Sequence, residues 1–516
     1  MRYRLGIDVG GTNTDAVLID DGMKVIAEVK RPTTEDVYSG ILDAIKVILA
    51  ESGVDKAKIK QAMLGTTQCT NAIVERKNLA EIGVLRMGAP ASCDIQPMVD
   101  WADDLRALVL ESAIIGGGFE HDGKEIAPLD ETAARAFFAK LKNRVKSVAI
   151  SCVFSAVRND HELRAAAICK EVMGDGVHIS ISSEIGSMGL VERENATILN
   201  AMLHDVAQRI TSGFAGSLKE LGVTQADIYL SQNDGTLMTM EYARKYPVLT
   251  IACGPTNSIR GASYLSKLAD AVVIDVGGTT TDLGMLQKGF PRESSIAVTI
   301  GGVRTNFRMP DIVSIGLGGG SIVREKNGEI TVGPDSVGYR ITEKALVFGG
   351  DTLTTTDIAV RLGMADIGDR AKVEHLDESF AKKVLEVIRA MAEDNIDAIK
   401  VSADNVDVVL VGGGSIILPK DLAGTKSVVT PEFFGAANAI GSAIAKVSGT
   451  YEKLISYDET PREDALKQAK EEATALAVNA GADPAKVEII EVEDTPLAYY
   501  PGNTCRVKVK AAGDLC

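Results

Sequence analysis

The phrase GIDVGGTNTD at residues 6–15 returns as VIDVGGTTTD at residues 273–282. The 267 residues between Asp8 and Asp275 exceed any solenoid period. The chain is therefore expected to hold two related halves, each bringing one strand–turn–strand unit to a shared place. Each copy has a strand ending in an aspartate, a Gly-Gly-Thr turn and a second strand. A glycine pair lets the backbone turn with positive φ and approach a ligand closely. The amides around Gly10, Gly11 and Thr12 can then point inward as an anion-binding nest, with Thr12 and Thr14 adding hydroxyls. Asp275, Gly277, Gly278, Thr279 and Thr281 repeat that order. Two such turns facing each other suit a polyphosphate, cradled from both sides. Carboxylates beside phosphates require a cation, so Asp8 and Asp275 are expected to hold Mg²⁺ through its water shell or to activate a nucleophile. No lysine follows the glycines and no G-x-G-x-x-G opens a helix, so the turn is neither a Walker loop nor a dinucleotide fingerprint.

A third element, VVLVGGGSII, ends an apolar strand in Gly412, Gly413 and Gly414, a surface against which a flat nucleoside can lie. Between these landmarks strands and helices alternate, which predicts an α/β architecture. A helix is expected from about residue 35 to 51, and a strand, a Gly-Thr-Thr turn and a helix start in QAMLGTTQCTNAIVER. Residues 83–130 read as irregular and glycine-rich. A helix at 131–146, a strand at 147–155 and one or two long helices at 190–222 follow. A Gly-Pro turn with a helix at IACGPTNSIRGASYLSKLAD and a small-residue helix ending near Gly449 come later. Beyond it, a charged helix opens with Thr460 as N-cap and Pro461 at its first position, and Gly481 stops it. The strands KVEIIEV and CRVKVKA then suggest a small α+β unit. The expected division is 1–189, 190–449 and 450–516, in keeping with a length of 516 residues.

The formal net charge of −16 argues against nucleic acid or an anionic membrane as partner. No uncharged apolar stretch is long enough to cross a bilayer. Seven cysteines without a C-x-x-C pair fit reduced thiols, and no export signal opens the sequence, so a cytoplasmic protein is expected. Cys69 and Cys253 flank turns, but no basic residue stands near them in sequence to activate a thiol, so they read as small buried residues.

The stretches GIDVGGTNTDAVLID, LGTTQCTNAIVER, LVERENATILNAML, CGPTNSIRGA, IDVGGTTTDLG, SIGLGGGSI, VGPDSVG and VLVGGGS resemble, in order, the hydantoinase/oxoprolinase A-type proteins. These lie within the actin, sugar-kinase and Hsp70 superfamily of ATPases. The resemblance implies two actin-like (RNase H-like) halves around a nucleotide cleft, with ATP and Mg²⁺ as cofactors. It implies ATP-dependent opening of a cyclic amide (a hydantoin, 5-oxoproline or lactam) by phosphorylation of the amide oxygen; related carboxylases treat a ketone likewise. By position, Asp8, Gly10, Gly11, Thr12 and Asp15 form the first phosphate element, and Asp275, Gly277, Gly278, Thr279 and Asp282 the second. Gly412 to Gly414 form the adenosine element, Gly254 and Pro255 the Gly-Pro turn, and Asp311 a catalytic aspartate before a GGGS loop. Gly65, Thr66, Thr67 and Asn71 line the substrate side or begin a helix. A B-type hydantoinase subunit and a homo-oligomer are further expected partners. The family's histidines before Gly-Thr-Thr and before the GGGS loop are here Leu64 and Val313, so no transition-metal site is expected there. A nucleotide-driven activator of a partner protein and a small-molecule kinase are the alternative readings of the same motifs.

Overall fold

The computed structural model describes residues 2–34, 37–186, 188–294, 298–306, 309–498, 500 and 502–516. Two sheets organise it. The larger runs, in spatial order, Ala482–Pro496, Thr504–Leu515, Val447–Ser456, Leu237–Thr239, Asp227–Ser231, Ile59–Thr66, Tyr3–Val9, Asn13–Asp20 and Val25–Pro32. The second runs Phe290–Pro291, Thr281–Gln287, Ala271–Val276, Val406–Val411 and Thr425–Val429, with Ile312–Ile315 also beside Thr281–Gln287. In both, the repeated phrase forms an antiparallel hairpin whose first strand has a parallel neighbour on its other side, Ile59–Thr66 or Val406–Val411.

Two helices lie between the sheets. Cys253–Ser266 packs Ile259 and Ala262 on Val273, Leu286 and Val409 of the second sheet. Ala437–Ile444 packs Ala439, Ile440 and Ala443 on Val17 and Ile19 of the first. They cross backbone to backbone: a Cβ on Gly261 would stand 1.9 Å from the Ala437 carbonyl oxygen, and one on Gly441 1.8 Å from that of Asn257. No side chain fits between them, so this contact fixes how the two sheets face each other.

A separate parallel sheet of Val109–Gly116, Ile82–Ala89, Ser147–Cys152 and His178–Ile181 carries its own core under helices Glu131–Leu141 and Asp160–Met173. Two of its strands come from the stretch expected to be irregular. Ile82–Ala89 is buried almost throughout, so it lacks the alternation that marks a half-exposed strand. The helix expected from about residue 35 runs Val37–Ser52; residues 35 and 36 lie outside the described residues. Residues 190–222 form two helices, Leu190–Met202 and His204–Glu220, meeting at Leu203.

Residues 450–516 form an α+β layer, with helix Arg462–Asn479 over Val507, Val509 and Ala511, and its strands extend the edge of the first sheet. The helix begins one residue later than expected: Pro461 is its N-cap, without a side-chain cap bond. Gly481 (φ 107°) follows its end. The small-residue helix stops at Ile444, short of Gly449, which lies instead in strand Val447–Ser456. There a Cβ would strike the backbone of Ala473 and Ala477. No helix among the described residues is long and apolar enough to cross a membrane.

Candidate active site

The two hairpins close identically. Gly10 N–H donates to the Asn13 carbonyl at 3.0 Å, and Gly277 N–H to that of Thr280 at 2.8 Å. Asp8 stands opposite Asp15, and Asp275 opposite Asp282. The tips meet: a Cβ on Gly278 would lie 3.2 Å from Thr12 Oγ1. Gly11 and Gly413 face open space, with nothing within 4 Å of where a Cβ would stand. Exposed backbone amides at a converging pair of turns are what an anion needs.

Further glycines buttress the second tip. Gly319 N–H donates to Gly277 O at 3.0 Å and Gly320 N–H to Gly278 O at 2.7 Å. The Thr356 hydroxyl donates to Gly319 O at 2.8 Å. A Cβ on Gly414 would sit 2.3 Å from Gly277 O, so the third glycine element packs on the same tip. Gly318, Gly319 and Gly320 were visible in the sequence as a strand joint, but their role as a brace depends on this long-range contact.

Across the first sheet, one row of directly opposed residues runs Gly65, Asp8, Asp15, Lys30. Across the second it runs Val411, Asp275, Asp282, Ser314. Opposed residues share a face, and here that face is the one covered by the crossing helices. Asn438 Nδ2 donates to Asp8 Oδ2 at 2.9 Å, and Ser258 Oγ to Asp275 Oδ2 at 2.5 Å. Lys30 Nζ lies 2.5 Å from Asp15 Oδ1, while the Ser314 hydroxyl donates to Asp282. Lys30 and Asn438 lie outside every quoted motif, and although Asn257, Ser258 and Ser314 fall within CGPTNSIRGA and SIGLGGGSI, nothing local marks them as partners of the aspartates.

Burial sets the electrostatics. It pushes Asp8 up to about 7, with Asp15 and Asp275 adding repulsion. It lifts Asp282 to about 6 against the Ser314 hydrogen bond, and raises Asp15 and Asp275 as well. Asp8 Oδ1 is buried beside the Asn257 amide, whose hydrogen bond opposes the rise in its pKa. A Cβ on Gly65 would sit 2.4 Å from both Asp8 Oδ1 and Asn257 Nδ2, so only glycine fits beside this pair. Carboxylates crowded at raised pKa favour a nearby cation. The donors are hard oxygens of the kind Mg²⁺ takes, but among the described residues no three such side chains group to hold a metal by themselves, so a cation here would keep most of its water.

On the proposed substrate side, Gly65 and Thr66 end strand Ile59–Thr66, and Thr67 stands at the N-cap of helix Gln68–Glu75. Thr67 makes no cap bond: its hydroxyl reaches Val9 O at 3.4 Å, and Asn71 Nδ2 reaches Thr67 Oγ1 at 3.4 Å. The Thr66 hydroxyl accepts from Gln68 N–H instead, at 3.2 Å. Gly254 and Pro255 lie in the first turn of helix Cys253–Ser266, where a Gly254 Cβ would be 3.3 Å from Thr67 Cγ2. Burial drives the Cys69 and Cys253 thiols up to about 11 and about 12, so neither is a thiolate at neutral pH.

Leu64 lies opposite Ile7 and points into the first core, on the face away from Gly65. Val313 packs against the second core. Asp311 stands apart from the tips. It precedes Ile315, which pairs with Thr281, by four residues, or about 13 Å of strand. Arg292 Nε and Nη2 both donate to its Oδ2, the former at 2.9 Å.

Residues 4–173 match the family model described as hydantoinase/oxoprolinase N-terminal region, and residues 193–369 match the hydantoinase/oxoprolinase model. The caprolactamase subunit alpha of Pseudomonas jessenii is 28% identical over 385 residues, covering 70% of this chain and 54% of that subunit. The 5-oxoprolinase of Saccharomyces cerevisiae is 24% identical, covering 70% of this chain and 31% of its own length. The chain thus spans about half the caprolactamase subunit and less than a third of the oxoprolinase. The crystal structure of the ATP-dependent caprolactamase of Pseudomonas jessenii superposes with a TM-score of 0.77 at 22% identity, covering 99% of this chain and 87% of that one. The two matched regions together cover most of the chain, and the chain belongs to the hydantoinase/oxoprolinase family.

Proposed function

We propose that this chain binds ATP with Mg²⁺ between its two hairpins and uses it to open a cyclic amide. The observation that carries the reading is the tip-to-tip approach of two identical Asp-Val-Gly-Gly-Thr turns, each backed by its own row of carboxylates. Gly10 to Thr12 and Gly277 to Thr279 hold the phosphates, Gly412 to Gly414 the adenosine, and Asp15 and Asp282 steady the inner aspartates. Asp8 and Asp275 hold Mg²⁺ through water, and the metal supplies charge neutralisation at the transferring phosphoryl group.

Transfer of the terminal phosphoryl to the amide oxygen breaks its bond to ADP and forms a P–O bond to the substrate. The ring carbon becomes electrophilic, one water adds to it, and the C–N bond breaks as the nitrogen takes a proton, leaving an acyl phosphate that a second water cleaves to carboxylate and inorganic phosphate. Gly65, Thr66, Thr67 and Asn71 lie beside Asp8 and are proposed to orient the ring. Asp311, bound by Arg292, has at most a supporting part. A larger assembly with a second subunit is part of this proposal, because the caprolactamase relative is itself a subunit.

The test is ATP hydrolysis measured against a panel of hydantoins, lactams and 5-oxoproline. Stimulation by one class with product release supports the reading. ATP hydrolysis indifferent to every amide points to an activator of a partner protein, a reading that apolar Leu64 and Val313 favour. No ATP binding by calorimetry refutes both.

A further inference from the structure

We propose that Lys30 is a phosphate ligand of this site, moving its ammonium from Asp15 to the phosphate oxygens of a nucleoside triphosphate when one enters. The inference rests on the nucleotide reading above and adds a residue that the glycine motifs do not contain. Its basis is the comparison of two equivalent rows. The outer aspartate of the second hairpin, Asp282, is satisfied by the hydroxyl of Ser314. The outer aspartate of the first, Asp15, is met by Lys30 at the same cross-strand position. A neutral donor alone satisfies Asp282, whereas Asp15 is met by Asn438 and by Lys30, whose charge also reaches Asp8 and Asp275, so the first row carries a cation that the second does without.

The surroundings give that cation a use. Asp8, Asp15, Asp275 and Asp282 line the space below the tips, and among the described residues Lys30 is the only lysine or arginine ion-paired with any of them. A nucleoside triphosphate brings further negative charge, and the turns offer it backbone amides and hydroxyls but no cation of their own. Lys30 projects from strand Val25–Pro32, next to Asn13–Asp20, and its side chain is 40% exposed while Asp15 is 4% exposed. The stem therefore stands at the open side with its charge on a buried partner. A lysine ammonium on a flexible four-carbon stem can exchange one oxyanion for another without backbone movement.

The experiment replaces Lys30 with the residue of the other row. Binding of MgATP and of adenosine to wild type, Lys30→Ser and Lys30→Arg is measured by calorimetry. Lys30→Ser is expected to weaken MgATP by at least about tenfold while leaving adenosine unchanged, and Lys30→Arg to stay within about threefold of wild type. Lys30→Ser binding MgATP as wild type does, or losing MgATP and adenosine equally, overturns the proposal. If Lys30→Ser does not fold, Lys30→Ser with Asp15→Asn removes the uncompensated charge. The double variant should bind adenosine normally and MgATP weakly, and normal MgATP binding overturns the proposal. Wild-type protein binding adenosine but not MgATP sinks the nucleotide reading itself, a result distinct from any of these.

Discussion

The two hairpins share turn closure, cross-strand register and a parallel neighbour, yet they differ in what surrounds their aspartates. Asp8 is buried and shares its space with Asn438 and Asn257, whereas Asp275 is half-buried and bonded to Ser258. Asp15 faces a lysine and Asp282 a serine. The second tip is braced by Gly318–Gly320 and Gly414, and the first by a hydrogen bond from the Thr33 hydroxyl to Gly10 O. Duplication thus supplied one backbone design, and the two copies were fitted with different side chains. The second tip has the more bracing contacts, while burial raises the aspartates of both hairpins.

The comparison breaks most visibly at the inner aspartates. Asp8→Ala and Asp275→Ala are each expected to lower the turnover of ATP hydrolysis by about 10³-fold, since each removes a carboxylate proposed to hold the metal. A steady-state assay in which one variant keeps wild-type turnover would show that only one hairpin serves the chemistry.

The next difference is in stability against pH. Folded Asp8 titrates at about 7 and its unfolded counterpart near 3.8. The folded chain keeps the proton where the unfolded chain has lost it, so Asp8 costs stability progressively as pH rises from about 4 to about 7. At pH 8 and without divalent cation the cost is at most about 4 kcal/mol, at about 1.4 kcal/mol per pH unit. Asp8→Asn should therefore be more stable than wild type at pH 8 and equal to it near pH 4. Urea unfolding at the two pH values tests this, and parallel stability curves would contradict the burial of a titrating Asp8.

The glycines beside the aspartates come third. Gly65→Ala places a Cβ 2.4 Å from Asp8 Oδ1, and Gly412→Ala 2.2 Å from Asp275 Oδ1. Displacing either carboxylate by about 1 Å is expected to cost about 10²-fold in turnover. Gly412→Ala also forces a φ of 82° on a residue with a Cβ, so it alone should lower the melting temperature beyond the effect of crowding. Equal thermal shifts in the two variants would count against that distinction.

The smallest effect is expected at Asp311. Its pair with Arg292 is partly exposed, with the aspartate side chain 38% accessible, so Asp311→Asn should change stability by about 1 kcal/mol or less. Turnover should stay within about threefold of wild type. A loss on the scale of Asp8→Ala would place Asp311 in the chemistry despite its distance from the tips.

The glycine turns were legible because their chemistry is local. A positive φ, a close backbone approach and a terminal aspartate all fit within ten residues, and the second copy confirmed the first. The α/β alternation was legible for the same reason, wherever a strand or helix carried its own period. Ile82–Ala89 was missed because burial on both faces erased that period. Leu64 and Val313 carry no lone pair to offer a metal, and only the strand register shows Leu64 pointing away from Gly65 altogether.

The sequence by itself determined the two glycine turns, their pairing and the family, because each depends on neighbours along the chain. The tertiary structure decided which side chains face the aspartates. Lys30 reaches Asp15 through strand pairing, Asn257 and Ser258 serve different hairpins from adjacent positions on one helix, and Asn438 arrives from 430 residues away. Strand register and the backbone contact of two helices at Gly261 and Gly441 set those positions. Both are long-range packing outcomes, and no local stretch of sequence encodes them.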